Sequence, residues 1–183
     1  MPRLPDLAYD RLSPAQRKVH DAIVAGPRGR VQGPLKVWLM SPGFTERAQE
    51  LGAFCRYGTS LPKRLSELAI LITGAFWKAG YEWHVHAPIG FEVGLDRKVI
   101  EAIRTGKKPG FQRADEAALY DFARELLETR RVSEAVYQRA VAELGALGLV
   151  ELVGILGYYG LISMTITAFE VPIPDGVPEP FSD

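Results

Sequence analysis

The sequence contains very little cysteine, since Cys55 is the only one among 183 residues. An intramolecular disulfide is therefore excluded, and so is a thiol–disulfide cycle that needs two cysteines in one subunit. Neither sign of charge is in excess either, because 22 basic and 22 acidic residues cancel. Without a basic field to attract phosphates, we expect no nucleic-acid partner.

Several motifs with well-understood chemistry are also missing. The sequence has no glycine-rich phosphate loop, no nucleophile elbow and no paired-cysteine zinc motif, so we expect no cofactor. The first ten residues, MPRLPDLAYD, have no apolar run behind their basic residue. Because a secretory signal needs such a run, we expect a cytoplasmic protein.

One segment, residues 152–169, carries no charged side chain and is long enough to be a membrane-span candidate. Glu151 at its start, Tyr158 and Tyr159 in its middle and a far flank without basic residues argue against a span. We therefore expect no membrane insertion. A helix that is apolar on all sides can instead lie in the core of a soluble protein or at a subunit interface.

Helical periodicity dominates the sequence, and no stretch alternates with the period of a strand over a useful length. This pattern predicts an all-α protein of about eight helices. The first helix begins at Pro14 behind a capping Ser13. The later helices are predicted over residues 45–57, 62–80, 81–93, 97–106, 113–129, 133–144 and 152–169.

Apolar spacing predicts which side chains of the first helices face the core. These side chains are Val19, Ile23, Val24, Ala48, Leu51, Gly52, Cys55, Leu65, Leu68, Ala69, Ile72, Ala75 and Phe76. Proline and glycine placement divides the chain into three parts. We predict a Pro/Gly-rich arm with one helix (1–43), a helical domain (44–171) and an extended Pro-rich tail (172–183).

The densest cluster of ionisable and aromatic residues is YEWHVHAP, residues 81–88. On a helix Glu82 and His86 share one face, whereas His84 points towards the other side. A carboxylate four residues from an imidazole can raise its basicity, which suits proton transfer near neutral pH. Glu67 lies in an apolar stretch, where a carboxylate must be paired or must shift its pKa. If the two helices pack antiparallel around Gly80, these groups form an acid–base site.

Simpler interpretations stay open for the same residues. The Glu82–His86 pair is also what a surface or interface ion pair looks like. Glu67 has Lys63 and Arg64 on its own helix as ready partners. We expect no metal site, because Glu67, Glu82 and His86 are a sparse ligand set without a recognised metal spacing.

Three runs of this cluster resemble the carboxymuconolactone decarboxylase and alkylhydroperoxidase D (AhpD) family. They are RLSELAIL (64–71), YEWHVH (81–86) and GFEVGL (90–95), within a similarity that extends over about residues 44–169. The peroxidase branch has a Glu, a C-x-x-C and a His at spacings that fall on Glu67, Ala79, Glu82 and His86. This chain therefore resembles a version of the family without the redox cysteines.

The resemblance implies an all-α fold that assembles as a trimer or hexamer, with its active site near a subunit interface. A disulfide-cycling peroxidase is excluded without both cysteines, which leaves the decarboxylase branch. That branch implies proton transfer on a small lactone or oxygenated carboxylic acid, with His86 as proton shuttle, Glu82 as its partner and Glu67 as the positioning charge. Tyr81, Trp83 and His84 are the expected substrate-binding residues. A non-catalytic binding protein and a peroxidase that uses Cys55 alone are the other hypotheses.

Overall fold

The computed structural model describes residues 3–182 of the chain. Within that range the chain forms eight α-helices and no strand, which confirms the all-α prediction. The helices are α1 (Pro14–Ala25), α2 (Pro34–Trp38), α3 (Pro42–Ala53), α4 (Lys63–Phe76), α5 (Gly80–Glu92), α6 (Arg97–Arg104), α7 (Ala114–Thr129) and α8 (Glu134–Phe169). A 3₁₀ turn at Tyr9–Arg11 precedes α1, and a π-helical turn at Phe54–Gly58 follows α3.

Two of the predicted helix starts, those of α1 and α6, have capping side chains, whereas Ser133 at the start of α8 makes no capping bond. The Gln16 amide donates to Ser13 Oγ over 3.3 Å, and the Gln16 side chain accepts from the Ser13 amide over 2.8 Å. This reciprocal pair is a capping box, which satisfies two backbone groups that a helix end leaves open. At α6 the Asp96 carboxylate accepts from the Lys98 amide over 2.7 Å, as expected for an N-cap aspartate.

Helix α4 lies at the centre of the fold and packs against α5, α7 and α8. Residues 65–74 are all buried, so this helix has no face towards solvent. A turn of three residues leads from α4 into α5, and the two helices run antiparallel: Gly74 faces Glu82, and Leu71 faces Gly90. The antiparallel packing places the middle of α4 beside the middle of α5.

Helix α8 is divided by Gly145, whose backbone angles of φ 70° and ψ 165° interrupt the helical path. Beyond this kink one face packs into the core through Leu152, Ile155, Tyr159 and Ile162. By length and composition alone α8 could cross a membrane, and a third of its most apolar 18-residue window is buried. The core helix of a soluble protein meets the same criteria, so this property assigns no membrane role.

The outer face of α8 is exposed and apolar. It carries Leu147, Val150, Val153 and Met164, all of them large hydrophobic side chains in contact with solvent. We expected protein to cover this helix on all sides, but the chain itself covers only one face of it.

The N-terminal segment packs closely on the helices that follow it. Helix α1 contacts α3, and α2 contacts both α3 and α8. Trp38 in α2 donates its indole N–H to Thr165 Oγ1 over 2.8 Å. We predicted one helix for residues 1–43, but α2 is a second one, because Pro34 suits the first position of a helix.

Three side chains predicted to face the core are exposed: Val24, Leu51 and Phe76. Leu51 is 52% exposed, while Gly52 beside it is buried. An i, i+3, i+4 pattern fits two neighbouring helix faces almost equally well, so spacing alone placed Leu51 on the wrong one. Val24 and Phe76 lie in the last turns of α1 and α4, at the limit of the packed region.

The C-terminal tail folds back over its own chain. Its Phe181 ring packs edge-on against Trp83 of α5, with the ring centroids 5.4 Å apart. The Pro180 carbonyl accepts from Arg104 Nη1 of α6 over 2.6 Å. These contacts hold the tail across α5 and α6.

The central position of α4 predicts that Leu68→Ala destabilises the protein strongly. Leu68 has no exposed surface, so its truncation should lower the free energy of unfolding by about 2–5 kcal/mol. Urea denaturation followed by circular dichroism measures the change. Leu51→Ala is the matched control, and we expect it to cost no more than about 0.5 kcal/mol at an exposed position. Equal losses in the two variants would contradict the packing described here.

Candidate active site

A buried triad joins α4 to α5. Glu67 Oε2 of α4 lies 2.5 Å from His86 Nδ1 of α5, and His86 Nε2 lies 2.9 Å from Glu82 Oε1. The second contact has the distance of an ion pair, although the ring N–H does not point directly at the oxygen. His86 therefore lies between two carboxylates, one from each helix.

Helix geometry explains the arrangement. Glu82 and His86 are one turn apart on α5, so both side chains point from the same face towards α4. Lys63 lies one turn before Glu67 on α4, with its Nζ 2.8 Å from Glu67 Oε1. Each Glu67 oxygen therefore has one cationic neighbour.

The interpretation of Glu82 and His86 as a surface ion pair is wrong. Their exposed fractions are 4% and 2%, and Glu67 has no exposed surface. The sequence offered two ion-pair partners for Glu67 on its own helix, Lys63 and Arg64. Lys63 forms that ion pair, whereas Arg64 pairs with Asp115 and Glu116 of α7.

The surroundings of His86 and Glu67 favour the charged form of both groups. Burial alone would lower the pKa of His86, but the charge of Glu82 and the bond to Glu67 outweigh it and raise that pKa above its ordinary value of 6.5. Burial alone would likewise raise the pKa of Glu67, but the His86 contact and Lys63 lower it below 4.5. Both shifts favour the state in which a His86 imidazolium faces the Glu67 carboxylate.

Glu82 and His86 border a small cavity of about 40 Å³. A cavity of this volume holds a few water molecules or one small polar group. Its wall includes five polar residues that the sequence analysis did not identify as site residues: Arg28, Gln32, Arg56, Tyr158 and Tyr159. Arg28 lies in the loop after α1, and Arg56 in the π-helical turn, so neither belongs to the helices that carry the triad.

The two tyrosines come from the apolar part of α8. The Tyr159 ring lies edge-on to His86 with 5.3 Å between the centroids, and the Tyr158 hydroxyl accepts from Arg28 Nη2 over 3.1 Å. Burial raises the pKa of Tyr158 to about 12 and that of Tyr159 well above its ordinary value, so both phenols stay protonated. In the sequence, the one sign of a polar role for these tyrosines was their position within a run that has no charged residue.

The predicted substrate-binding residues separate into two groups. Tyr81 lines the cavity. Trp83 is buried against Phe181, and His84 is half-buried on the side of α5 turned from the triad. Neither Trp83 nor His84 borders the cavity.

The structure also bears on metal binding and on thiol reactivity. Among residues 3–182, no group of three or more histidine, cysteine, aspartate or glutamate side chains is arranged to hold a metal ion. Cys55 is buried, as its apolar neighbours indicated, and burial raises the pKa of its thiol. The reactive thiolate is therefore disfavoured at this position.

Comparison with solved structures identifies proteins of the same fold. An uncharacterized peroxidase-related protein from Silicibacter sp. TM1040 matches with a TM-score of 0.75 and 15% identity, over 96% of this chain and 92% of that one. An AhpD-core, uncharacterized peroxidase-related protein from Ralstonia eutropha JMP134 matches with a TM-score of 0.77 and 16% identity, over 98% and 94%. A protein of unknown function from Agrobacterium tumefaciens, described as a candidate antioxidant defence protein AhpD, matches with a TM-score of 0.67 and 12% identity, over 78% and 99%.

These matches confirm the predicted resemblance at the level of the fold. The chain has the AhpD-like fold, and the similarity to two of the structures extends through the N-terminal segment, beyond the 44–169 range that the motifs suggested. No protein-family model and no curated protein matches the sequence. At identities of 12–16% the shared fold assigns no activity.

The charged triad predicts a definite dependence of stability on pH. Glu67 stabilises the fold fully above about pH 4.5, and its contribution is lost as the pH falls through its lowered pKa. His86 stabilises fully below about pH 6.5, and its contribution is lost as the pH rises through its raised pKa. We therefore expect the melting temperature to be level between these values and to fall on either side. Differential scanning calorimetry across pH measures it.

Two variants test whether His86 causes the fall in melting temperature at alkaline pH. His86→Gln should remove that fall, whereas His84→Gln, on the other side of α5, should retain it. An unchanged pH profile in His86→Gln would show that the triad is not the titrating group.

Proposed function

We propose that the protein is an acid–base enzyme that decarboxylates a small lactone or oxygenated carboxylic acid by proton transfer through His86. The observation that carries this proposal is the buried Glu67–His86–Glu82 triad at the wall of a polar cavity. An imidazolium held between two carboxylates is a proton donor whose orientation is fixed before substrate binds.

The chemistry assigns a task to each member of the triad. Loss of carbon dioxide from a β,γ-unsaturated lactone acid breaks the bond to the carboxyl group and leaves its electron pair as an enolate. The carbon then needs a proton, which His86 supplies, and the enolate needs electrostatic stabilisation. Glu82 borders the cavity and is the carboxylate that contacts the substrate and passes the proton. Glu67 holds the imidazole ring from the other side and is a positioning residue.

Two other functions have less support. A peroxidase cycle needs two cysteines, whereas Ala79 and Glu82 occupy the corresponding positions, and Cys55 is buried. A non-catalytic protein in which Glu82 and His86 join subunits would have those groups at its surface. Both are instead buried and lie at ion-pair distance from each other inside one chain.

The proposal predicts that the triad controls turnover in variants that remain folded, which thermal melts of each variant verify. His86→Gln and Glu82→Gln should each lower turnover by roughly 100-fold or more, because each removes a proton-transfer group. The assay is carbon dioxide release from a panel of carboxylated lactones and muconate-type acids. His20→Gln, in α1 and outside the cavity wall, is the control and should keep full activity. Full activity in His86→Gln, or no turnover of any panel member by the folded wild type, would contradict the proposal.

We further propose that the protein self-associates, as a trimer or hexamer, through the outer face of α8. Leu147, Val150, Val153 and Met164 form an apolar stripe that the chain itself leaves uncovered. Gly157 lies beside the stripe with open space above it, which lets a second helix approach closely.

Self-association through this face makes Val150→Glu a disruptive change. A charge buried at an interface without a partner is costly, so the variant should sediment as a smaller species than the wild type. Sedimentation velocity measures the difference. Arg11→Glu, at an exposed site in the 3₁₀ turn, is the control and should leave the species unchanged. A monomeric wild type would contradict the proposal.

A further inference from the structure

Two arginines on the wall of the small cavity have no acidic partner. Neither Arg28 nor Arg56 forms an ion pair within residues 3–182, whereas most other partly buried charges of the site are paired. The Nε atoms of both are buried without a hydrogen-bond partner. A buried guanidinium N–H without an acceptor costs free energy, which an anion in the cavity would recover.

The cationic character of the cavity follows from how the other charges are paired. Glu67 is neutralised by Lys63 and His86, so the Glu82 carboxylate is the one negative group on the cavity wall. The guanidinium groups of Arg28 and Arg56 line the same wall, so two positive charges stand against one negative charge. The fixed charge of the wall is therefore positive before a ligand enters, and a small anion is the ligand that balances it.

Local backbone features hold these arginines in place. A Cβ atom at position 52 would overlap the Tyr158 hydroxyl and lie 2.5 Å from Arg28 Nη2, so Gly52 is required for the Arg28–Tyr158 pair to fit. Arg56 lies in the five-residue π-helical turn at Phe54–Gly58, a rare geometry that often occurs at functional sites. Planar guanidinium groups held this way suit a carboxylate, which accepts two parallel N–H bonds.

A second, larger cavity, here called the outer cavity, adjoins the first, which we call the inner cavity. It has a volume of about 260 Å³ and shares Gln32 and Tyr81 with the inner cavity as walls. Its lining is mainly apolar and includes Val37, Met40 and Phe169. Its one cation, Lys36, is neutralised by Asp6 at 2.6 Å. The outer cavity is thus suited to an apolar group and offers no charge to an anion.

We propose that the two cavities together bind one amphipathic carboxylic acid, with its carboxylate on Arg28 and Arg56 and its apolar body in the outer cavity beside Tyr81. The substrate class is then a carboxylic acid with an apolar body larger than a few carbons. This inference deepens the proposed function and relies on it only for the reaction; the binding itself requires no turnover.

Isothermal titration calorimetry with four probes tests the assignment. The probes are acetate, hexanoate, 3-phenylpropionate and the neutral hexanamide. Hexanoate and 3-phenylpropionate should bind at least about tenfold more tightly than acetate, because only they bury methylene or ring surface in the outer cavity. Hexanamide should bind at least about tenfold more weakly than hexanoate, because it lacks the charge that the guanidinium groups recognise.

Variants locate the two ends of the ligand. Arg56→Gln and Arg28→Gln should each weaken hexanoate binding by about tenfold or more. Arg47→Gln, at an exposed position of α3, is the control and should bind like the wild type. Thermal melts verify that each variant is folded, and Arg56→Gln gives the clearer result because it breaks no bond to Tyr158.

Three results would overturn the inference. They are equal affinity for hexanoate and hexanamide, equal affinity for acetate and hexanoate, and a loss of binding in Lys36→Gln but not in the arginine variants. Tight, arginine-dependent binding of hexanoate by a protein that decarboxylates no acid would support this inference and contradict the proposed function. The two failures are therefore distinguishable.

Discussion

The burial of the Glu67 carboxylate is the constraint on which the rest of the site depends. Helix α4 is enclosed on all sides, so a charge in its middle is tolerated only with cationic partners at contact distance. Lys63 supplies one partner from the same helix, and His86 supplies the other from α5. A shift of α5 by one turn would move His86 away and leave Glu67 buried without it. The carboxylate thereby fixes the register of the two helices that form the site.

This pairing also determines what the cavity presents to a ligand. Because Lys63 and His86 compensate Glu67 from both sides, the negative charge of α4 does not reach the cavity. Glu82 does reach it, beside the guanidinium groups of Arg28 and Arg56. A donor, a carboxylate and two anion-binding groups are thus brought together within one small volume. Such preorganised charge is what acid–base chemistry on an anion requires.

The sequence was most informative where chemistry and spacing coincide. Glu82 and His86 are four residues apart on one helix, and the resemblance placed Glu67 with them; the structure brings all three together. Arg28 and Arg56 could not be found this way. They lie outside regular α-helices and approach the triad only through tertiary packing, which leaves no period in the sequence. The prediction that Leu51 faces the core was wrong for another reason, because one stripe of apolar residues fits two adjacent helix faces.

The cavity wall joins distant parts of the chain. Arg28 bonds to Tyr158 across 130 sequence positions, and outside the wall Trp38 bonds to Thr165 across 127. Helices α4 and α5, in contrast, are neighbours along the chain, so their contact closes only a short loop and costs little conformational entropy.

During synthesis α1 and α2 leave the ribosome long before α8 is made. The triad can therefore form on a growing chain, but the arginine wall of the cavity is complete only once nearly the whole chain has been translated.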